Sequence, residues 1–302
     1  MIIIKGEDYE IPFVKEVMVQ SVTKAGMKPW QAYSVVSEIR DELLAKGIVE
    51  ISSDDLSDLV YNKLKAANPK VADRYKAWRD LKTGEREPLI ILLGGGTGVG
   101  TTTVGTEVAY RVGIRNIIAT DSIREIMRKT VSEKLLPYLH ASSYDAYKYV
   151  KVPISKEKDK DLVSFQLQTW AVSVGIEAVI ERALKEGTPT LVEGLYVVPG
   201  FLSEEILKKP NVLLFVLHLK DEKEHRNRFY TRAFETKFKR TVDGYVENFE
   251  TIRKIQEYIK GKAKEMNTPI IENTDVERTV TEIMDQSIEA MIKESKKTEE
   301  KE

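Results

Sequence analysis

The residues best suited to chemistry lie in GGTGVGTT, Gly95–Thr102, between an apolar run and a helical pattern. Gly95 and Gly100 stand at the spacing G-x-x-x-x-G, followed by Thr101 and Thr102. Such a turn lets backbone wrap a phosphate, and the helix behind it presents unpaired N–H groups and a positive dipole end. Gly95, Gly96, Thr97, Gly98, Val99, Gly100, Thr101, Thr102 and Thr103 are therefore the expected nucleotide-phosphate loop, with the Thr102 hydroxyl placed to ligate Mg²⁺. Residue 101 is threonine where such loops normally carry a lysine that spans the terminal phosphates. Two readings follow: a kinase that brings cations from elsewhere, or a nucleotide-binding regulator without phosphoryl transfer.

Candidate replacements follow a later apolar strand. Arg226, Arg228 and Arg232 lie in HRNRFYTRAFETKFKR, with Lys237, Lys239 and Arg240 further on. Arg228 and Arg232 are one helical turn apart, and the segment reads as a catalytic lid that contacts phosphates and excludes water. Its interspersed Glu222, Glu224 and Glu235 also suit an ion-paired surface helix. Asp121 follows NIIAT at a strand's carboxyl end, where open α/β sheets bind ligands, and could orient or deprotonate an acceptor hydroxyl while capping the next helix. Arg124 and Arg128 would face the same region and bind an anionic acceptor. Glu193 ends TLVE and is placed for the metal. His140, His218 and His225 show no ligand spacing, so no zinc site is expected.

Buried parallel strands are expected at LIILL, NIIAT, TLVEG, VLLFVL and TPII, because runs apolar at every position suit a sheet covered on both faces. Helical patterns at about 100–112, 122–135, 162–186, 222–239, 243–266 and 275–293 alternate with them, which describes a doubly wound α/β domain. Upstream lies a small, mainly helical module. One helix has Phe13, Val14, Val17, Met18 and Val22 on one face; the next starts near Pro29 and repeats Trp30, Tyr33, Val36, Ile39 and Leu43. Both stripes read as core. Ser52 with Asp55 forms a near capping box, and IIIK with YEIPF a two-stranded ribbon. The charged stretch 79–88 separates domains 1–85 and 86–302.

Across 302 residues, 47 basic and 48 acidic side chains give a net charge of −1, which supplies no field for nucleic acid or an anionic membrane. With no cysteine, disulfides, thiolate metal sites and cysteine nucleophiles are excluded, and a reducing cytoplasm is compatible. The N-terminal residues do not read as a signal peptide, and no run approaches 18 uninterrupted apolar residues, so no membrane span is expected. The residues leave homo-oligomerisation open.

The chain from about residue 86 resembles archaeal 2-phosphoglycerate kinases, through LIILLGGGTGVGTTTVGTEVA, ATDSIREIMR, LVEGLYVVPG, HRNRFYTRA and NFETIRKIQEYIKGKAKEMNTPIIENTD. Residues 1 to about 80 resemble the ATP-cone module, through PFVKEVMVQSV and SSDDLSDLVYNKLKAANPKVADRYKAWRD. The resemblance implies a P-loop, nucleoside-monophosphate-kinase-like parallel sheet domain behind an ATP-cone. It also implies transfer of the γ-phosphoryl of ATP to the 3-hydroxyl of 2-phosphoglycerate, giving the 2,3-bisphosphoglycerate from which cyclic 2,3-diphosphoglycerate is made. Gly95–Thr103 would hold ATP and Mg²⁺, Asp121, Arg124 and Arg128 would face the acceptor, Glu193 would serve the metal or acceptor side, and Arg226–Arg232 would form the lid. In the cone, a nucleotide sensor in other proteins, Lys5, Phe13 and Lys15 fall in the characteristic N-terminal segment. The residues by themselves specify only a small anionic alcohol as acceptor.

Overall fold

The structure, a computed structural model, describes residues 2–7, 9–82, 87–150, 153–155, 158–235 and 242–299, with backbone alone at 78, 80–82, 235 and 291–299. Two compact units divide the chain: Met1–Arg86 with Met291–Glu302, and Glu87–Ala290.

In the first unit β1 (Ile3–Lys5) and β2 (Glu10–Pro12) form the expected antiparallel ribbon, followed by α1 (Lys15–Lys24) and α2 (Pro29–Ala45). A strand that the sequence reading did not anticipate, β3 (Glu50–Ser52), pairs parallel with β1. Three residues are too few for a periodic signal. α3 (Ser53–Ala67) is capped by Ser52, whose Oγ accepts the Asp55 N–H at 3.0 Å, and α4 (Pro69–Lys82) opens on a proline. The core stripe is narrower than expected. Val22, Ala32, Val36, Ile39 and Leu43 are buried, but Val17 is 59% exposed, Trp30 68% and Tyr33 53%. Helical spacing located the stripe but not which flank of it meets the neighbouring helices.

The second unit is built on one parallel sheet of β4 (Ile90–Gly95), β5 (Asn116–Ala119), β6 (Thr190–Gly194), β7 (Val212–His218) and β8 (Ile270–Glu272), in the spatial order β5-β6-β4-β7-β8. Read from the first strand of this unit, that is 2-3-1-4-5. The crossovers carry α5 (Thr101–Val112), α6 (Thr120–Thr130), α7 (Lys160–Lys185), α8 (Glu204–Leu207), α9 (Glu222–Glu235), α10 (Asp243–Glu247) and α11 (Phe249–Glu265), and α12 (Val276–Glu299) follows β8. The central strand β4 is buried at every position, as a strand covered on both faces must be. β5 is an edge strand with Ile117 40% exposed, so NIIAT is less buried than its composition suggests.

Alternation along the strands sorts the two faces. Ile90, Leu92, Val192 and Val216 enter the large core with Phe165, Val172 and Ile176 of α7 and Ile255 and Ile259 of α11. Leu191 and Glu193 face α5, where Gly105 allows close approach: a Cβ there would stand 3.1 Å from Leu191 Cδ2 and 3.5 Å from Glu193 Cβ. An acid thus sits on the face that holds the glycine-rich turn. α7, at 26 residues and with an 18-residue stretch of mean hydropathy 1.2, is long and apolar enough to cross a membrane by length and composition. Its apolar side instead supplies fully buried Phe165, Val172, Ile176 and Ile180 to the core.

Candidate active site

The glycine-rich turn joins β4 to α5. Gly98 (φ +86°) and Gly100 (φ +97°) adopt left-handed backbone, and added Cβ atoms would lie 2.7 Å from the Phe229 ring and from Asn273 Nδ2 respectively. Side chains outside the turn hold its carbonyls. His225 Nε2–H donates to Thr97 O at 2.7 Å, and Val99 O accepts from Arg228 at 2.9 Å and from Asn273 Nδ2 at 2.8 Å. With those carbonyls engaged, the N–H groups of Gly98, Gly100, Thr101 and Thr102 find no backbone acceptor among the described residues. The result is a concentration of amide donors at the start of a 12-residue helix, an anion cradle by geometry.

His225 is part of this brace. Fully buried and stacked on Phe229 at 5.3 Å, it donates through Nε2 and takes Arg253 at Nδ1, 3.4 Å away. Burial holds its pKa down at about 4; the Thr97 contact opposes this, and the charges of Arg253, Arg228 and His218 add to it. The imidazole is neutral at pH 7 and its tautomer is fixed by the loop carbonyl.

Beside the turn lies a cavity of about 450 Å³. Gly96, Thr97, Gly98, Thr101 and Thr102 line it with Asp121, Arg124, Glu193 and Arg232, so loop, both acids and two arginines share one space. Gly194 brings the acids' strands together: at φ +134° its Cβ position lies 2.3 Å from Thr120 Oγ1. Thr102 Oγ1 donates to Glu193 Oε1 at 3.0 Å. Burial pushes the Glu193 carboxyl up from its ordinary value; hydrogen bonds from Thr101 and Thr102 pull it down, and the charge of Asp121 pushes it further up. A buried carboxylate next to a loop hydroxyl, at 3% exposure, suits a hard oxygen-liganded cation whose charge would favour its ionised form.

The remaining arginines are placed differently from expectation. Arg228 does not line the cavity; its guanidinium is drawn behind the turn, where it donates to Val99 O, Asn273 O and Glu224 Oε1. Arg226 lies over the Phe249 ring at 3.8 Å, also outside the cavity lining. Arg128 is paired with Glu125 at 2.8 Å on α6 and does not line it, since seven residues from Asp121 is two turns along the helix. Val99, Gly95, Gly100 and Thr103 shape the turn without lining the cavity. Lys237, Lys239 and Arg240 lie outside the described residues. Among the described residues no group of three or more acids and histidines is clustered for a metal.

Sequence reading missed Ser122, Ser142, Ser143, Tyr144, Tyr196 and Tyr245 in the lining, and His225, Asn273 and Gln256 behind the turn. Ser142–Tyr144 sit between two 3₁₀ turns, Pro137–His140 and Ala146–Tyr149, where no periodicity exists to read. His225, three residues from Arg228, carried one available signal, a histidine inside the proposed lid.

Residues 1–83 match the ATP cone domain. Over nearly the whole chain, that module included, a 2-phosphoglycerate kinase of Methanothermobacter thermautotrophicus is 42% identical over 298 residues, covering 99% of this chain and 97% of its own. The chain belongs to the 2-phosphoglycerate kinase family. Other members of the 2-phosphoglycerate kinase family include proteins from Methanopyrus kandleri, 41% identical over 93% of this chain and 85% of its own, and from Pyrococcus horikoshii, 39% identical over 96% and 94%. Family similarity therefore runs through the cone-like unit and the sheet unit together.

Proposed function

We propose that the chain catalyses ATP-dependent phosphorylation of 2-phosphoglycerate at its 3-hydroxyl, giving 2,3-bisphosphoglycerate and ADP and so feeding synthesis of cyclic 2,3-diphosphoglycerate. The observation that carries the reading is the shared cavity: turn amides, Asp121, Arg124, Glu193 and Arg232 border one space in a chain whose near-full-length relatives are named for this kinase activity. The division of labour is between 1–85, a cone-like domain, and 86–302, the kinase domain. We place the activity in the cytoplasm.

The amides of Gly98, Gly100, Thr101 and Thr102 hold the β- and γ-phosphates. Asp121 accepts the proton of the acceptor hydroxyl as its oxygen bonds to the γ-phosphorus, and the bond from that phosphorus to the β,γ-bridging oxygen breaks to leave ADP. Arg232 and Arg124 meet the charge that developing metaphosphate and anionic acceptor bring, in place of the lysine absent at Thr101. Thr102 and Glu193 would hold Mg²⁺, which when bound neutralises phosphate charge. Arg228, with His225 and Asn273, keeps the turn's carbonyls outward, and Arg226 anchors α9 over Phe249.

The test is an acceptor screen with ATP and Mg²⁺, read by product identity. The reading expects 2,3-bisphosphoglycerate, formed one-for-one with ADP, from 2-phosphoglycerate alone. Product from glycerate or a nucleoside monophosphate in its absence would reassign the acceptor to another small anionic alcohol, and ATP binding with no turnover would favour the regulator.

A further inference from the structure

The cavity has a wall whose backbone is braced from the core. Gln168 Nε2, on α7, donates to Tyr138 O at 2.5 Å and Ala141 O at 3.0 Å, and Arg124 donates to Ala141 O at 2.5 Å. The Tyr196 hydroxyl donates to Gln168 Oε1 at 3.2 Å and so sets which end of that amide faces the segment. Gln168 and Tyr196 are 0% and 1% exposed. A buried amide on an apolar helix face is costly unless each of its polar atoms is bonded, and here both bonds from its nitrogen serve one short stretch of chain.

That stretch delivers donors. Ser142 and Ser143 line the cavity, and Ser143 is only 8% exposed. Their hydroxyls and amides donate to no acceptor among the described residues, while the carbonyls before them are occupied by Gln168 and Arg124. Arg124, partly buried, lines the same cavity beside them. Acceptors are tied back, donors face the space, and a guanidinium stands beside them; an anion satisfies all three conditions.

Resting on the kinase reading above, we propose that Ser142, Ser143 and Arg124 form the subsite for the phosphoryl group of the acceptor, and that Gln168 and Tyr196 are positioning residues that aim it. A phosphoryl dianion, with three terminal oxygens, takes up more of these donors than a planar carboxylate does.

Calorimetric titration of the full chain tests this, with 2-phosphoglycerate, glycerol 2-phosphate, which lacks the carboxylate, and glycerate, which lacks the phosphoryl group. Ser143→Ala should weaken both phosphorylated probes about tenfold and leave glycerate and ATP within about twofold. Gln168→Leu should reproduce that pattern, and Tyr196→Phe should do so more weakly, with ATP affinity retained; a merely structural role would move ATP as well. Unchanged binding of 2-phosphoglycerate to Ser143→Ala, or a loss confined to glycerate, overturns the subsite. If the wild type binds in the expected pattern yet transfers nothing, the kinase reading fails and the subsite stands. If the wild type transfers and Ser143→Ala binds normally, the reverse holds; if the wild type binds neither phosphorylated probe, both fail.

Discussion

Arg232 and Arg228 are four residues apart on α9 but face different tasks, and their truncation should separate them. Arg232→Ala removes a cation that borders the cavity, so kcat should fall about 100-fold with little change in the KM for ATP. Arg228→Ala frees Val99 O and Asn273 O from one donor and should instead raise the KM for ATP, as the turn loses part of its brace. Steady-state kinetics on both variants decides this; equal effects of the two would merge the roles. Glu193→Gln keeps the shape and the Thr102 contact while removing the charge. The Mg²⁺ concentration for half-maximal rate should rise about tenfold or more, and an unchanged Mg²⁺ dependence would remove Glu193 from the metal. A place in the cavity lining was legible where residue type and strand-end position coincide, as at Asp121 and Glu193. It was not legible for Arg228, because spacing on a helix says which residues share a face and not what that face meets.

At the scale of elements, the turn between β4 and α5 depends on what stands behind it. Gly98→Ala places a methyl against the Phe229 ring in a left-handed backbone, so ATP affinity should drop at least about tenfold while far-ultraviolet circular dichroism stays native. His225 couples the same brace to pH. Its folded pKa of about 4 lies below the ordinary 6.5, so between those values the unfolded chain binds the extra proton and acid favours unfolding. The contribution is present above pH 6.5 and is lost as pH falls through about 4, amounting to about 3 kcal/mol in full. Denaturant unfolding across that range should show this loss, and His225→Gln should flatten it. The five parallel strands could be read from apolar runs, which continuous burial explains at β4 but not at β5 and β8, where the runs are apolar although only partly buried. The 3₁₀ turns between α6 and α7, the short strand β3 and the exposure of Trp30 and Tyr33 could not, because each is decided by contacts distant in sequence.

For the whole molecule, the sheet order β5-β6-β4-β7-β8 explains why residues from four separate stretches meet. Placing β4 between β6 and β7 sets the turn beside Glu193 on one side and beside the α9 that follows β7 on the other, while β5 brings Asp121 to the rim. A lysine-free turn can then draw its cations from α6 and α9. The most direct measurement is a crystal structure of the chain with a non-hydrolysable ATP analogue, Mg²⁺ and 2-phosphoglycerate. The account predicts β- and γ-phosphates on the amides of Gly98, Gly100, Thr101 and Thr102 and the acceptor's 3-hydroxyl against Asp121. Triphosphate bound away from that turn, or an acceptor hydroxyl turned from Asp121 toward solvent, would contradict it.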